Sequence, residues 1–305
     1  MHVLITGGAG YIGTALVEQL NQDDKVEQID IYDNLSRGNR NLFIGIDKLK
    51  TKKVKFIQGD LLDSRKLKNA LNGVDIVYHL AANVSTPFSD QNPHLFEQVN
   101  HWGTAELTYA VEASEVKRLI YLSSVSVYGA SEDICRLSDK PNPQTFYGIS
   151  KLRGEEHVQR LSEKLETFII RCGNVYGYNK SMRFDAVINR FLFEANFKGQ
   201  ITINGTGEQH RPFIHIQDVA SVLTALSEAE LPKGVYNLVD KNRAIGEIVE
   251  SLRKLYPNLE MLFVNQHMKM RELQVEPSAD LQAYFSKPLT SFEEQVSNFK
   301  KAFTF

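Results

Sequence analysis

Val3-Leu-Ile-Thr-Gly7-Gly-Ala-Gly10-Tyr-Ile-Gly13 is the stretch on which the fold turns. A short apolar run leads straight into a G-x-x-G-x-x-G arrangement, and that arrangement opens a helical pattern. Glycines at this spacing serve a tight turn, close approach of backbone to a pyrophosphate, and close packing of helix on strand. The phosphates then meet free N–H groups and the positive end of the helix dipole. Outward from this turn, almost continuously apolar runs recur at Val26–Tyr32, Val54–Gln58, Val74–Leu80, Arg118–Ser123 and Thr167–Arg171. Longer amphipathic stretches separate them, the clearest being Pro93–Ser114 and Phe146–Leu165. Strands buried on both faces and alternating with helices predict an α/β fold, with a doubly wound parallel sheet over residues 1–172.

The pattern loosens after Arg171. Helices are predicted at Arg183–Phe197, Gln217–Glu228 and Ile245–Tyr256, and strands at Gln200–Asn204, Phe213–Ile216 and Gly234–Val239. Beyond them lies a poorly patterned tail. A length of 305 residues suits about two domains. The expected division is a dinucleotide-binding Rossmann unit of residues 1–172 and 213–241, with a smaller interleaved α/β substrate unit of residues 173–212 and 242–305.

Composition narrows the class. With 42 % apolar residues, 24 % charged residues and a net charge of −2, the chain is neither a disordered polar polymer nor a basic nucleic-acid binder. Cys135 and Cys172 lack the number and spacing of a disulfide framework or a zinc site. His210 with His215 lacks a third ligand, so no metal is expected. No run reaches the ~18 apolar residues of a membrane span, and no leader pattern opens the chain. A cytoplasmic protein is expected.

Asp33, at the end of the second strand, lies 20 residues beyond Gly13, where an acid accepts hydrogen bonds from the ribose hydroxyls. Its carboxylate repels a 2′-phosphate, which favours NAD, while nearby Arg37 leaves NADP open. Asp60-Leu61 closes the third strand and either meets the adenine or caps the next helix. Further along, Tyr147-Gly-Ile-Ser-Lys151 places a phenol and an ammonium at i, i+4 on one helical face. Tyr176 and Lys180 repeat the spacing, but in an irregular turn. A free tyrosine, with a pKa of about 10, is a poor base near neutrality. A neighbouring cation and an oxidised nicotinamide both favour phenolate. The phenolate then takes an alcohol proton as hydride leaves the same carbon.

Taken in order, the motifs resemble a known family. They are Gly7-x-x-Gly10-x-x-Gly13, Asp33-Asn-Leu-Ser, Asp60-Leu, His79-Leu-Ala-Ala82, Asn100, Ser123-Ser-Val-Ser-Val-Tyr-Gly129, Tyr147-x-x-x-Lys151 and Arg171-Cys-Gly-Asn-Val-Tyr-Gly177. Together they are similar to the extended short-chain dehydrogenase/reductases, within them the nucleotide-sugar epimerase/dehydratase group. The resemblance covers residues 1–240 and is weak beyond. It implies a catalytic Ser124, Tyr147 and Lys151, with Lys151 also holding the nicotinamide ribose. The NAD site it implies comprises Gly7, Gly10, Tyr11, Ile12, Gly13, Asp33, Asn34, Asp60, Leu61, Ala81, Ala82 and Asn100. The group's 4,6-dehydratases carry an Asp-Glu pair after the Ser/Thr, because losing water needs an acid and a base. The UDP-xylose-forming decarboxylases keep the glutamate. Here Val125 and Ser126 stand there, as small residues do in UDP-galactose 4-epimerases.

The substrate end follows from the same resemblance. Gly205-Thr-Gly-Glu-Gln-His-Arg211-Pro-Phe-Ile-His215 is similar to the family's segment whose arginine contacts the substrate pyrophosphate. Arg suits phosphate through its bidentate fork. Arg271 stands where a second arginine is usual, without the glycine that normally follows nearby. Asn174 matches an asparagine on the phosphates or sugar. Ser85, in the Asn83–Thr86 loop, either touches the hexose or belongs to a plain polar loop. The resemblance implies a homodimer packed through Pro93–Ser114 and Phe146–Leu165. The expected function is a UDP-hexose 4-epimerase with bound NAD. A nucleotide-sugar reductase using NADP is the nearest alternative. A non-catalytic dinucleotide-binding protein is another, with no need of all three catalytic residues.

Overall fold

Each apolar run of the first half becomes a strand, and the intervening amphipathic stretches become helices. The computed structural model describes residues 1–44, 53–84, 92–267, 270–286 and 290–303. In chain order it begins β1 (His2–Thr6), α1 (Tyr11–Leu20), β2 (Gln28–Asp33), β3 (Val54–Gln58), α2 (Ser64–Ala70), β4 (Ile76–His79), α3 (Pro93–Phe96), α4 (Gly103–Glu112) and β5 (Arg118–Ser124). Next come β6 (Ile134–Cys135), α5 (Phe146–Arg160), β7 (Glu166–Cys172), β8 (Asn174–Tyr176), α6 (Val187–Lys198), β9 (Gln200–Asn204), β10 (His210–His215), α7 (Ile216–Ala225) and β11 (Gly234–Leu238). The remainder holds β12 (Lys241–Ala244), α8 (Ile245–Leu255), β13 (Glu260–Val264), β14 (Gln274–Val275), α9 (Ala279–Gln282) and α10 (Phe292–Lys301).

Seven strands form one sheet in the order β3-β2-β1-β4-β5-β7-β11, every neighbouring pair parallel. The doubly wound parallel sheet is therefore present as expected. One face buries Val3, Ile5, Leu16, Val17, Val222 and Leu223, largely beneath α1 and α7. The other buries Leu4, Val77, Leu107 and Val158 beneath α2, α4 and α5. Each such side chain contributes roughly 1.5–3 kcal/mol when fully buried. Strand order reverses between β1 and β4, where sheets of this kind open a crevice at the carboxyl ends of the strands.

A second apolar core gathers Ile188, Phe191, Ile201, Ile248, Leu252 and Val296 from α6, β9, α8 and α10. Beside it, β8, β10 and β12 form a three-stranded sheet, so the strand expected from Phe213 starts earlier and belongs there. The unpatterned tail contributes β13, which pairs with β9, and β14, which pairs with β6. The helix expected over Pro93–Ser114 is interrupted: between α3 and α4 the chain makes a wide π turn, Glu97–Trp102. Among the described residues, no helix is long and apolar enough to cross a membrane.

Candidate active site

The glycine turn is forced by contact. Gly7 has φ +73° and lies so near β4's continuation that a Cβ would sit 2.6 Å from Ala81 N. At Gly13 a Cβ would lie 2.5 Å from the Gly7 carbonyl. No side chain caps α1, so its first N–H groups face the cleft. The Asp33 carboxylate accepts from Ala9 N at 3.1 Å and Leu35 N at 2.8 Å, which ties the end of β2 to the glycine loop. Asp60 does not cap α2, because Asp63 does so, accepting from Lys66 N at 3.0 Å. Asp60 instead accepts from Asn34 Nδ2 at 2.9 Å.

Two elements present Ser124, Tyr147 and Lys151. Thr145 caps α5 by accepting from Gly148 N at 3.0 Å. Tyr147 therefore falls in the first turn and Lys151 one turn later. β5 ends at Ser124, whose hydroxyl accepts from Ser126 N at 3.1 Å and starts the tight turn Val125–Tyr128. Burial pushes the Tyr147 phenol above its ordinary pKa, while a hydrogen bond with Ser124 and the guanidinium groups of Arg183 and Arg37 pull it down. Burial also lowers the Lys151 ammonium to about 7, against the opposing pull of Glu155 and Cys172. Its Nζ lies over the Tyr121 ring, 4.3 Å from the centroid. Below them His79 is fully buried between Thr6 at 2.7 Å and Thr104 at 2.9 Å, and burial, with Lys151 nearby, keeps it neutral.

One cavity of about 1030 Å³ joins these groups. It is lined by Gly7, Gly10, Tyr11, Ile12 and Gly13 at the glycine turn, and by Asp33, Asn34, Asp60 and Leu61 beside it. Ala81, Ala82, Ser124, Tyr147 and Lys151 line its middle, and Asn174, Arg211 and Arg271 its far end. The volume exceeds the roughly 300–1,000 Å³ usual for one small ligand. At the far end Arg211 donates to the Arg271 carbonyl. Burial and the Arg271 charge hold the Arg211 guanidinium below its usual pKa, an arrangement that an anion relieves.

Asn100 is the exception among the expected cofactor residues, since it does not line the cavity. From the π turn its amide binds Asn83 N at 2.8 Å, Asn83 O at 2.9 Å and Ser150 Oγ at 3.1 Å. Those bonds use up the side chain in holding the loop after β4 against α5. Ser85 lies outside the described residues. Sequence reasoning missed Arg183, Asp185 and Arg190, which line the same cavity. Arg183 grips Asp185 through bonds of 3.0 and 2.8 Å. Nothing in their spacing marks them; α1 brings that segment in. Tyr11 donates to Gly177 O at 2.5 Å, Asn189 reaches Tyr11 at 3.4 Å, and Thr14 donates to Ser181 at 2.8 Å.

The profile of the NAD dependent epimerase/dehydratase family matches residues 3–238. The chain belongs to this family. Its likenesses span two chemistries. It is 34 % identical to the dTDP-D-glucose 4,6-dehydratase of Mus musculus over 244 residues, 77 % of this chain and 67 % of that one. It is 29 % identical to the UDP-glucose 4-epimerase of Erwinia amylovora over 285 residues, 83 % of this chain and 82 % of that one. Among solved structures it is similar to the UDP-N-acetylglucosamine 4-epimerase from Methanobrevibacter ruminantium M1 in complex with UDP-N-acetylmuramic acid. That likeness has a TM-score of 0.87 at 27 % identity, covering 99 % of this chain and 97 % of the other.

Proposed function

We propose that this protein is a nucleotide-sugar 4-epimerase, acting on a UDP-hexose with NAD. One observation carries the choice over dehydration. Among the described residues, the carboxylates lining the cleft are Asp33 and Asp60 at the glycine turn, and Asp185, already gripped by Arg183. Val125 is buried where an acid would follow Ser124. Eliminating water needs a free acid and base beside the sugar, and the carboxylates of the described residues supply neither. The open cradle of glycines at α1 fits a pyrophosphate, and Asp33 disfavours a 2′-phosphate.

When bound, NAD supplies a hydride acceptor, then a hydride donor, and a positive charge beside the phenol. The protein's part is proton transfer and orientation. Tyr147 Oη takes the proton of the sugar 4-hydroxyl and later returns it, while Ser124 Oγ holds that oxygen. Lys151 supplies positive charge near the phenol and binds the nicotinamide ribose. Arg211 and Arg271 anchor the diphosphate, so the oxidised sugar turns about its phosphate linkage and presents its other face. We also infer a cytoplasmic homodimer. Leu95, Trp102, Tyr109 and Phe146 are exposed on α3–α4 and α5, helices packed side by side.

Incubation with UDP-, GDP-, CDP- and dTDP-sugars, with products resolved by NMR, tests the reading. Interconversion of C4 epimers without added cofactor is expected. The panel includes a UDP-hexuronic acid, because Arg37 near the phenol suits an acidic sugar. Stoichiometric oxidation of NADPH, or loss of water from the sugar, would displace the reading.

A further inference from the structure

α5 carries a third polar residue on the face that holds Tyr147 and Lys151. This is Glu155, one turn further on and 4 % exposed. Arg171 of β7 engages both its oxygens, with Nε at 3.1 and 3.2 Å and Nη2 at 2.8 Å. Ser123, next to Ser124, donates to the same carboxylate at 2.5 Å. Arg171 continues to the Tyr128 hydroxyl at 3.0 Å, and Tyr128 donates to Asn237 Oδ1 at 2.9 Å.

Lys151 and Glu155 stand at i, i+4, the spacing at which opposite charges on a helix pair. Away from water their attraction is poorly screened. They nevertheless stay apart, and the Lys151 ammonium lies over the Tyr121 ring. The reason is that a bidentate guanidinium and a hydroxyl already fill the Glu155 carboxylate.

We propose that Arg171 is a positioning residue. By occupying Glu155 it keeps the Lys151 ammonium over the Tyr121 ring, on the wall of the cleft that also holds Tyr147. The proposal rests on the reading of Tyr147 and Lys151 as reacting groups. The titratable groups around Lys151 are Glu155 on α5, Tyr121 on β5, Cys172 on β7 and His79 on β4, with Tyr147 one turn earlier on α5. Glu155 is the carboxylate among them.

Three variants test it. In Arg171→Gln, Glu155 is released, and a crystal structure is expected to show Lys151 Nζ paired with it. In that variant kcat falls about 10–100-fold, with KM for the nucleotide sugar within about twofold. In Arg171→Gln with Glu155→Gln the competitor is gone too, and kcat recovers about tenfold over the single variant. NMR titration of the Lys151 Nζ is expected to give a higher midpoint in Arg171→Gln and a lower one in Glu155→Gln than in the parent. That readout needs no turnover, so it stands even where the parent protein turns over no nucleotide sugar. Lys151 remaining over Tyr121 in Arg171→Gln, or a double variant no more active than the single, overturns the proposal. Should Arg171→Gln fail to fold, an unmoved Lys151 midpoint in Glu155→Gln overturns it equally.

Discussion

In the proposed mechanism Tyr147 has to lose a proton in a place that resists it. Burial holds its phenol up, so the neighbouring donors and cations decide when phenolate forms. Tyr147→Phe is expected to keep the fold and lose about 10²–10⁴-fold in kcat; steady-state assay beside circular dichroism checks both. Arg183→Met removes a cation that favours phenolate and strips Asp185 of its partner. Both changes raise the phenol pKa, so the acid limb of kcat moves to higher pH by about one unit; an unchanged limb would remove Arg183 from this account. The sequence announced Tyr147 and Lys151, because i, i+4 spacing is visible in one dimension. Ser124 was legible only through the motif around it. Arg183 was not legible, since its place depends on Tyr11 and Thr14, more than 160 residues earlier.

At the level of elements, α5 lies hard against β5. Helix propensity alone favours alanine over glycine at residue 154, by about 1 kcal/mol. A Cβ there would overlap the Tyr121 hydroxyl and come within 3.1 Å of the Asn100 carbonyl. Overpacking typically costs about 1–3 kcal/mol, so Gly154→Ala is expected to destabilise. Because the Tyr121 ring lies under Lys151, kcat should fall as well; melting and turnover measured together check it, and a raised Tm with full activity refutes it. The parallel strands were readable because burial on both faces writes an unbroken apolar run. The π turn at Glu97–Trp102 was not readable: a helix with one extra residue in a turn keeps nearly the same amphipathic pattern. Its presence is explained by the amide of Asn100, which it turns inward to the Asn83 backbone.

For the molecule as a whole, two histidines, His79 fully buried and His215 partly buried, set a pH dependence. His215 caps α7, its Nδ1 accepting from Gln217 N at 3.3 Å, and burial lowers its pKa to about 4. His79 is held low by burial with Lys151 nearby. Both are neutral when folded and take up protons when unfolded. Their stabilisation is therefore complete above the ordinary histidine pKa of about 6.5 and is lost as pH falls below it. For His215 the loss reaches about 3 kcal/mol near pH 4. Urea unfolding between pH 7.5 and 4.5 should show the decline, with a shallower slope in His215→Gln; equal slopes would exclude His215 as a contributor. We propose the division into residues 1–172 with 213–241 and residues 173–212 with 242–305, with β10 straddling one boundary. The second unit was hard to read because its core is assembled from α6, α8 and α10, segments well separated along the chain.

The bonds from Tyr11 and Thr14 to Gly177, Ser181 and Asn189 bear on how such enzymes diversify. Recombination that imports residues 173–212 from a relative changes more than sugar preference, because part of that insert is the outer wall of the nucleotide cradle. A small hydroxyl at 181 and an amide at 189 must travel with the graft, while the acceptor at 177 is a main-chain carbonyl. Without them the imported segment loses the attachments through which α1 brings Arg183 to the phenol. Specificity in this scaffold is thus inherited in blocks whose edges are set by the first helix.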